Sequence, residues 1–170
     1  LAATHLARVP MMKEKTLRYP GHIELMRVLR ETGLFSEDPV TMHDADGREV
    51  RIRPRDLTAK LLFPMWTYGP GEEDLTVMRI IGEGTRSGSR IRMQWDLSNR
   101  YCRDTRCTSM ARTTAIPCTI IARMLARGEI SMPGVIVPEI LGSDERLVDR
   151  VLTEHKDRDI HYNYTETLLG

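Results

Sequence analysis

The chain has 170 residues, and its charge is nearly balanced: lysine and arginine total 25, aspartate and glutamate total 24, and the net charge is +1. No run of five or six like charges occurs, so the sequence predicts neither nucleic acid nor a membrane surface as partner, because both need a concentrated basic field. No stretch reaches the roughly 18 consecutive apolar residues of a membrane span. We expect a single domain over residues 1–170 with its own core.

The cysteine content predicts a reducing environment. The three cysteines are Cys102, Cys107 and Cys118, and an odd number cannot all pair within one chain. We therefore expect free thiols and a cytoplasmic location. Cys102 and Cys107 with His161 would make a poor zinc site, because no second cysteine pair follows, and no metal site is predicted.

The beginning of the chain indicates a fragment. Leu1 stands where an initiating methionine would, and the phrase that it opens is apolar in character. The basic start and long apolar run of a signal peptide are missing. We interpret the chain as part of a longer protein.

Residue spacing predicts two helices and a hairpin in the first part of the chain. Residues 20–31 carry apolar side chains at helical spacing, and a glycine follows where a left-handed cap is favoured. The Asp-Gly pair at 46–47 predicts a tight turn between short strands over 40–43 and 49–52. Pro54 suits the first turn of a second helix.

A long hairpin is predicted in the middle of the chain. Residues 90–97 alternate between polar and apolar side chains, and residues 75–81 form an earlier β-rich run. The Arg-Ser-Gly-Ser stretch at 86–89 is a turn signal. The second strand is therefore expected to be half buried and the first strand more apolar.

The last part of the chain predicts two more helices. Thr113 or Thr114 can cap a helix that runs to Arg127. The remaining predicted elements are a short strand over 135–137, a helix capped by Ser143 and an edge strand over 160–164. This order predicts an α+β fold with a mixed, largely antiparallel sheet and helices packed mainly on one face. The other face is expected to serve as an interface in a homodimer.

Motifs that bind nucleotide phosphates are missing from the sequence. Dinucleotide binding of the Rossmann kind needs a glycine-rich turn between a strand and a helix. No GxGxxG and no GxxxxGK[ST] occurs, and Gly82-Glu83-Gly84 has no helix after it. We expect no cofactor-binding residues and no nucleotide-binding domain in this chain.

The first cluster of polar side chains is Thr16-Leu17-Arg18-Tyr19-Pro20-Gly21-His22. These residues stand at the entrance of a predicted helix, whose free N–H groups and dipole favour an anion. Arg18 could clamp a carboxylate through two hydrogen bonds, while Tyr19 or His22 could bond a reacting amine or carbonyl. Alternatively, Tyr19 and His22 pack at the helix entrance, and Arg18 pairs with a surface acid.

The second cluster, Thr108-Ser109-Met110-Ala111-Arg112-Thr113-Thr114, places four hydroxyls and an arginine before the longest predicted helix. An anion would again be favoured there. Alternatively, Thr113 and Thr114 are helix caps and Arg112 is a sheet-edge or interface residue.

Both polar clusters also lie within longer sequence motifs. KTLRYPGH, residues 15–22, precedes IELMRVLRETGLF, and TSMARTT, residues 108–114, precedes IIARMLARGEI and the Pro-Glu pair at 138–139. RPRDLT at 53–58 lies between them. From about Val9 to Arg158 the chain resembles the carboxy-terminal region of the saccharopine dehydrogenase family, although the run from Cys102 to Cys107 matches no pattern of that family.

The resemblance implies an oxidoreductase of lysine metabolism. Members similar to this chain oxidise or form a C–N bond with NAD or NADP, using an amino-terminal Rossmann domain and a later half that completes the substrate pocket and commonly makes the subunit interface. It implies an amino acid such as saccharopine or lysine as substrate. The partners would be the Rossmann domain of the same full-length chain and a second copy. The cofactor would bind the full-length protein, and this part alone would bind none and be inactive.

The implied chemistry is hydride transfer between a nicotinamide and a carbon that bears nitrogen, through an imine, with a general acid or base that we leave unassigned. The residues expected to bind substrate are Arg18, Tyr19, His22, Arg112, Thr113 and Thr114. The alternative function is a non-catalytic dimerisation or interaction module that keeps the family fold and self-associates through its sheet.

Overall fold

A computed structural model describes residues 9–170, and its contacts divide the chain into two compact units. The first unit ends at Pro70, and the second comprises Gly71–Gly170. Both contain helices and antiparallel strands, which confirms the predicted α+β class. The single domain predicted for residues 1–170 stays a prediction. Every helix within residues 9–170 is too short or too polar to span a bilayer.

The first unit contains two helices and a hairpin, as predicted. Its elements are α1 (His22–Glu31), β1 (Val40–His43), β2 (Glu49–Ile52) and α2 (Pro54–Trp66). The hairpin turn is organised by Asp44, whose carboxylate accepts from the backbone N–H groups of Asp46 and Arg48 at 3.0 and 2.8 Å. Gly47 takes the left-handed φ of 79° that follows such a turn.

A buried threonine joins α2 to the turn after α1. The hydroxyl of Thr58 donates to the carbonyl of Leu34 at 2.8 Å, and the backbone N–H of Arg55 donates to the carbonyl of Ser36 at 3.0 Å. The apolar stripe of α1, by contrast, is only partly covered: Met26 and Leu29 are half-buried, whereas Ile23 and Leu25 are 59% and 65% exposed. Helical spacing therefore predicted the helix correctly without ensuring that its apolar face is buried.

The second unit is built on a three-stranded antiparallel sheet. Its strands are β3 (Leu75–Arg86), β4 (Ser89–Arg100) and β5 (Tyr162–Leu168), in the order β3-β4-β5. The hairpin is longer than the predicted strand runs. Positive φ angles at Ser87 and Gly88, 52° and 82°, form the two-residue turn whose twist matches that of the strands.

The two faces of this sheet differ in character. The helix face carries Leu97 and Asn99, both buried, with Thr76 opposite Asn99. The other, which we call the ion-pair face, carries two salt bridges between directly opposite residues. They join Arg79 to Asp96 at 2.6 Å and Arg92 to Glu83 at 2.6 Å. Cross-strand pairs of opposite charge support the register over the whole hairpin.

The helices of the second unit are α3 (Ser109–Ala126), α4 (Pro138–Leu141) and α5 (Glu145–Lys156). The predicted start of α3 at Thr113 or Thr114 is wrong, because Thr108 is the cap and its hydroxyl accepts from the backbone N–H of Ala111 at 3.1 Å. The cap of α5 is Asp144 rather than Ser143.

The last two predicted strands also need correction. Residues 135–137 form no strand, because no neighbouring strand pairs with them and Val135 is fully exposed. The edge strand starts at Tyr162 rather than at residue 160 and runs to Leu168, because its register on β4 continues to Ile91 opposite Leu168. The apolar character of a segment does not show whether a neighbouring strand is available to pair with it.

The core of the second unit lies between α3 and the helices after it. Ile120, Met124 and Ile130 are buried together, and α3 also contacts β3 and β4. The partly buried residues packed around this cluster are Ile116, Ile121, Leu141, Leu147 and Val151. Helix α3 is therefore the element that links the sheet to the other helices.

We expect Ile120→Ala to lower the free energy of unfolding by about 3 kcal/mol, because it leaves a cavity in a site that is 1% exposed. Leu125→Ala, on the same helix but 51% exposed, is the matched control and should cost less than about 1 kcal/mol. Urea unfolding curves measure both. Equal losses would show that this cluster is not the core.

His155 is a buried polar side chain near the end of α5. It is 4% exposed, and neither ring nitrogen has a hydrogen-bond partner among the described residues. Its ring lies 5.7 Å from that of Tyr162. Burial, with the charge of Arg158 adding to it, lowers the pKa of His155 below 6.5.

We expect the second unit to lose stability as the pH falls through the unfolded histidine pKa of about 6.5, because protons then bind His155 more readily in the unfolded chain than in the folded one. His155→Phe should flatten this slope, whereas His161→Gln, an exposed histidine of the same unit, should leave it steep. Unfolding free energies at a series of pH values measure it. An unchanged slope in His155→Phe would contradict the assignment.

Candidate functional site

The start of α3 already holds an anion, the carboxylate of Asp74. Asp74 lies just before β3 and accepts from the backbone N–H groups of Ser109 and Met110 at 2.5 and 2.8 Å, and from the hydroxyl of Ser109 at 2.8 Å. Ser109 is fully buried, and its hydroxyl also lies 2.8 Å from that of Thr76. The helix end that was predicted to receive a ligand is thus occupied by a side chain of the same unit.

The ionised form of Asp74 is favoured by these bonds. Burial works against ionisation, but hydrogen bonds from the backbone of Met110 and from the backbone and hydroxyl of Ser109 outweigh it. The pKa of Asp74 therefore lies below 3.8. A negative charge at this position also complements the dipole of α3.

Arg112, one turn into α3, is buried and bonds to the backbone of other elements. Its side chain is 9% exposed, and its guanidinium donates to the carbonyls of Arg100 at 3.3 Å, Arg158 at 2.7 Å and Asp159 at 3.2 Å. These carbonyls lie at the end of β4 and in the turn after α5. Arg112 therefore joins three elements, and the predicted contact of its guanidinium with a substrate or an interface stays a prediction.

Thr113 and Thr114 lie inside α3 rather than at its entrance. The hydroxyl of Thr113 donates to the carbonyl of Ser109 at 2.8 Å, and that of Thr114 lies 3.8 Å from the sulfur of Met110. Bonding of a threonine to the preceding turn is common within helices. The predicted substrate contact of these two residues is not tested by these bonds.

The first polar cluster is arranged differently. Arg18 donates to the carbonyl of its neighbour Leu17 at 2.9 Å and, within residues 9–170, pairs with no carboxylate. Tyr19 is 86% exposed, and His22 is half-buried at the first position of α1. No side chain caps α1, and Gly21 precedes it with a φ of 86°. Within residues 9–170, therefore, neither a carboxylate at Arg18 nor a capping side chain at the entrance of α1 is found.

The sequence did not predict the role of Asp74, because the helix that Asp74 caps begins 35 positions later. The only local signal was an acid just before a β-rich run, and that pattern is common in loops. Metal binding finds no support in the described residues, since no group of three or more His, Cys, Asp or Glu side chains is placed to hold an ion.

Comparison with known proteins identifies the family of the chain. The family model "Saccharopine dehydrogenase C-terminal domain" matches residues 2–160. The chain belongs to this family. One relative within the saccharopine dehydrogenases is "Saccharopine dehydrogenase [NADP(+), L-glutamate-forming]" of Schizosaccharomyces pombe, 26% identical over 136 residues. The match covers 76% of this chain and 27% of the relative, so the chain spans about a quarter of that protein, and the predicted membership of the saccharopine dehydrogenase family is confirmed.

We expect Asp74→Asn to lower the free energy of unfolding by about 1–2 kcal/mol at neutral pH, because it removes the charged acceptor at the start of α3. The stabilisation by Asp74 is complete above its unfolded pKa of about 3.9 and is lost as the pH falls through its lower folded pKa. The variant should therefore be less sensitive to acid. Denaturant unfolding of both proteins between about pH 7 and pH 2 measures this.

Asp104→Asn is the matched control, since Asp104 is an exposed acid in the connection that leads to α3. It should change the unfolding free energy by less than about 0.5 kcal/mol. An Asp74→Asn protein as stable as the parent would show that the cap is energetically unimportant.

Proposed function

We propose that the chain is the substrate-binding and dimerising part of an NAD(P)-dependent oxidoreductase that acts on the C–N bond of an amino acid such as saccharopine or lysine. The observation that most directly supports this proposal is the family match over residues 2–160. The name of the fission yeast relative, which includes NADP(+) and L-glutamate, supports this class of chemistry. The free thiols support a reducing, cytoplasmic location.

The cofactor is proposed to bind outside this chain. Dinucleotide cradles need a glycine-rich turn from a strand into a helix. In the two units described above, α2 follows β2 through Arg53, and α3 follows β4 through residues 101–108, which contain no glycine. We therefore assign NAD(P) to the nucleotide-binding half of the full-length protein and derive no step of hydride transfer on these residues.

Arg18 is the strongest candidate for direct contact with the substrate. A guanidinium that pairs with no carboxylate within residues 9–170 can bind a substrate carboxylate through two parallel hydrogen bonds. The exposed phenol of Tyr19 and the imidazole of His22 stand beside it at the entrance of α1. Together they would bind and orient an amino acid, while the general acid or base stays unassigned.

Arg112, Thr113 and Thr114 fit a positioning role better. Because their polar atoms bond within the second unit, they would set the start of α3 rather than touch the substrate. We also propose a homodimer through the ion-pair face, where Leu75, Val77 and Ile81 are 46%, 53% and 51% exposed. A module that only self-associates through this face is the alternative function.

We expect Arg18→Ala in the full-length protein to raise the KM for the amino-acid substrate about tenfold or more, because a charged hydrogen bond contributes about 1.5–3 kcal/mol. Its unfolding should be unchanged, because the guanidinium is exposed. Arg112→Lys should instead lower the unfolding midpoint, since an ammonium cannot reach three carbonyls in the same geometry. Steady-state kinetics and thermal unfolding separate the two effects.

Arg51→Ala, which removes an exposed arginine of β2, is the control for a general change of charge and should alter neither quantity. If Arg18→Ala leaves kcat and KM unchanged, the assignment of the substrate carboxylate to Arg18 fails. If the full-length protein oxidises no amine but still dimerises, the interaction module is the better function.

A further inference from the structure

The connection from β4 to α3 closes on itself between two cysteines. The backbone N–H of Cys102 donates to the carbonyl of Cys107 at 2.9 Å, and that of Cys107 donates to the carbonyl of Cys102 at 3.2 Å. The two residues thus form an isolated antiparallel bridge. Arg106 turns the chain back with a φ of 53°. Both cysteines are half-buried free thiols, so small solutes can reach them.

This pairing brings the two side chains within reach of each other. Directly opposite residues that exchange both hydrogen bonds have Cα atoms about 5.5 Å apart, within the range of about 4.4–6.8 Å that a disulfide accepts. Their Cβ atoms are about 4.5–5.5 Å apart, whereas a disulfide needs about 3.5–4.5 Å. A bond would therefore require an approach of about 1 Å, and the resulting strain would make it easily reduced.

Cys102 is the more reactive partner. Hydrogen bonds from the hydroxyl and the backbone N–H of Thr105 and from the backbone N–H of Asp104, together with the charge of Arg112, lower its pKa below 9.0, although burial opposes this. A thiolate stabilised by donors and a nearby cation is the attacking form in thiol exchange. Cys118, by contrast, is exposed on α3.

We propose that Cys102 and Cys107 form a reversible redox site, with Cys102 as the attacking thiol and Cys107 as the resolving thiol. The oxidant is a small disulfide such as glutathione disulfide. The thiolate of Cys102 attacks one of its sulfurs, forms a mixed disulfide and releases one glutathione thiolate. Cys107 then loses its proton to solvent, attacks the sulfur of Cys102 and displaces the second glutathione thiolate.

The two cysteines together lose two electrons, and the small disulfide gains them, so that the reverse exchange restores both thiols. The site lies directly before the Thr108 cap and beside Arg112, which lowers the pKa of Cys102 by its charge. Oxidation would thus add a covalent cross-link between Cys102 and Cys107 in the connection that leads into α3. This role is independent of the proposed oxidoreductase activity, since it needs only the second unit's own thiols.

The test is peptide mapping after incubation with mixtures of reduced and oxidised glutathione. Trypsin separates Tyr101-Cys102-Arg103 from the peptide of Cys107 to Arg112, and Cys118 falls in the peptide from Thr113 to Arg123. We expect a disulfide-linked pair of the first two peptides, lighter by two hydrogen atoms than their sum, which disappears when reduced glutathione is in excess.

Serine variants assign the roles. Cys107→Ser should trap glutathione on Cys102, about tenfold faster than Cys102→Ser takes it up on Cys107. Cys118→Ser should form the linked pair as the parent does. Absence of the linked pair in the parent at excess oxidised glutathione would overturn the proposal. So would faster uptake of glutathione on Cys118 than on Cys102, because reactivity would then follow exposure alone.

Discussion

A buried guanidinium joins the second unit where β4 and α5 end and α3 begins. The carbonyls after a strand or a helix lack the partners that the element itself would supply. Arg112 donates to the carbonyl of Arg100 at the end of β4 and to those of Arg158 and Asp159 after α5. Because a buried charge is costly without such acceptors, guanidinium and carbonyls require each other. The junction thus ties α3, which also carries Ile120 of the core, to the ends of β4 and α5.

Asp74 also stabilises the start of α3, one turn before Arg112. Its carboxylate satisfies the first N–H groups of α3, and Ser109 links it to the sheet. The polar side chains of the second cluster therefore largely bond within their own unit, whereas within residues 9–170 Arg18 donates to its neighbour's carbonyl at Leu17 and pairs with no carboxylate. This difference is the physical basis for assigning substrate contact to the first cluster and positioning to the second.

The cysteine pair adds a chemical feature to the same region. Cys102 and Cys107 lie between the end of β4 and the cap of α3. The charge of Arg112 adds to the hydrogen bonds from Thr105 and Asp104 that lower the pKa of Cys102, while its own hydrogen bonds join α3 to β4 and to the turn after α5. A structural junction and a redox site can thus share one arginine, because the field of a charge extends beyond the atoms that it bonds.

The sequence by itself determined the features that depend on neighbours in the chain. Asp-Gly and Ser-Gly dipeptides place both hairpin turns, apolar spacing places α1, and the phrases KTLRYPGH and TSMARTT identify the family. Tertiary structure alone decided where α3 begins, that residues 135–137 form no strand, and that Asp74 and Arg112 bond within the fold. Asp74 bonds residues 35 and 36 positions away, and Arg112 reaches 46 and 47 positions. Such pairings depend on how strands and helices pack, and no local pattern of residues encodes them.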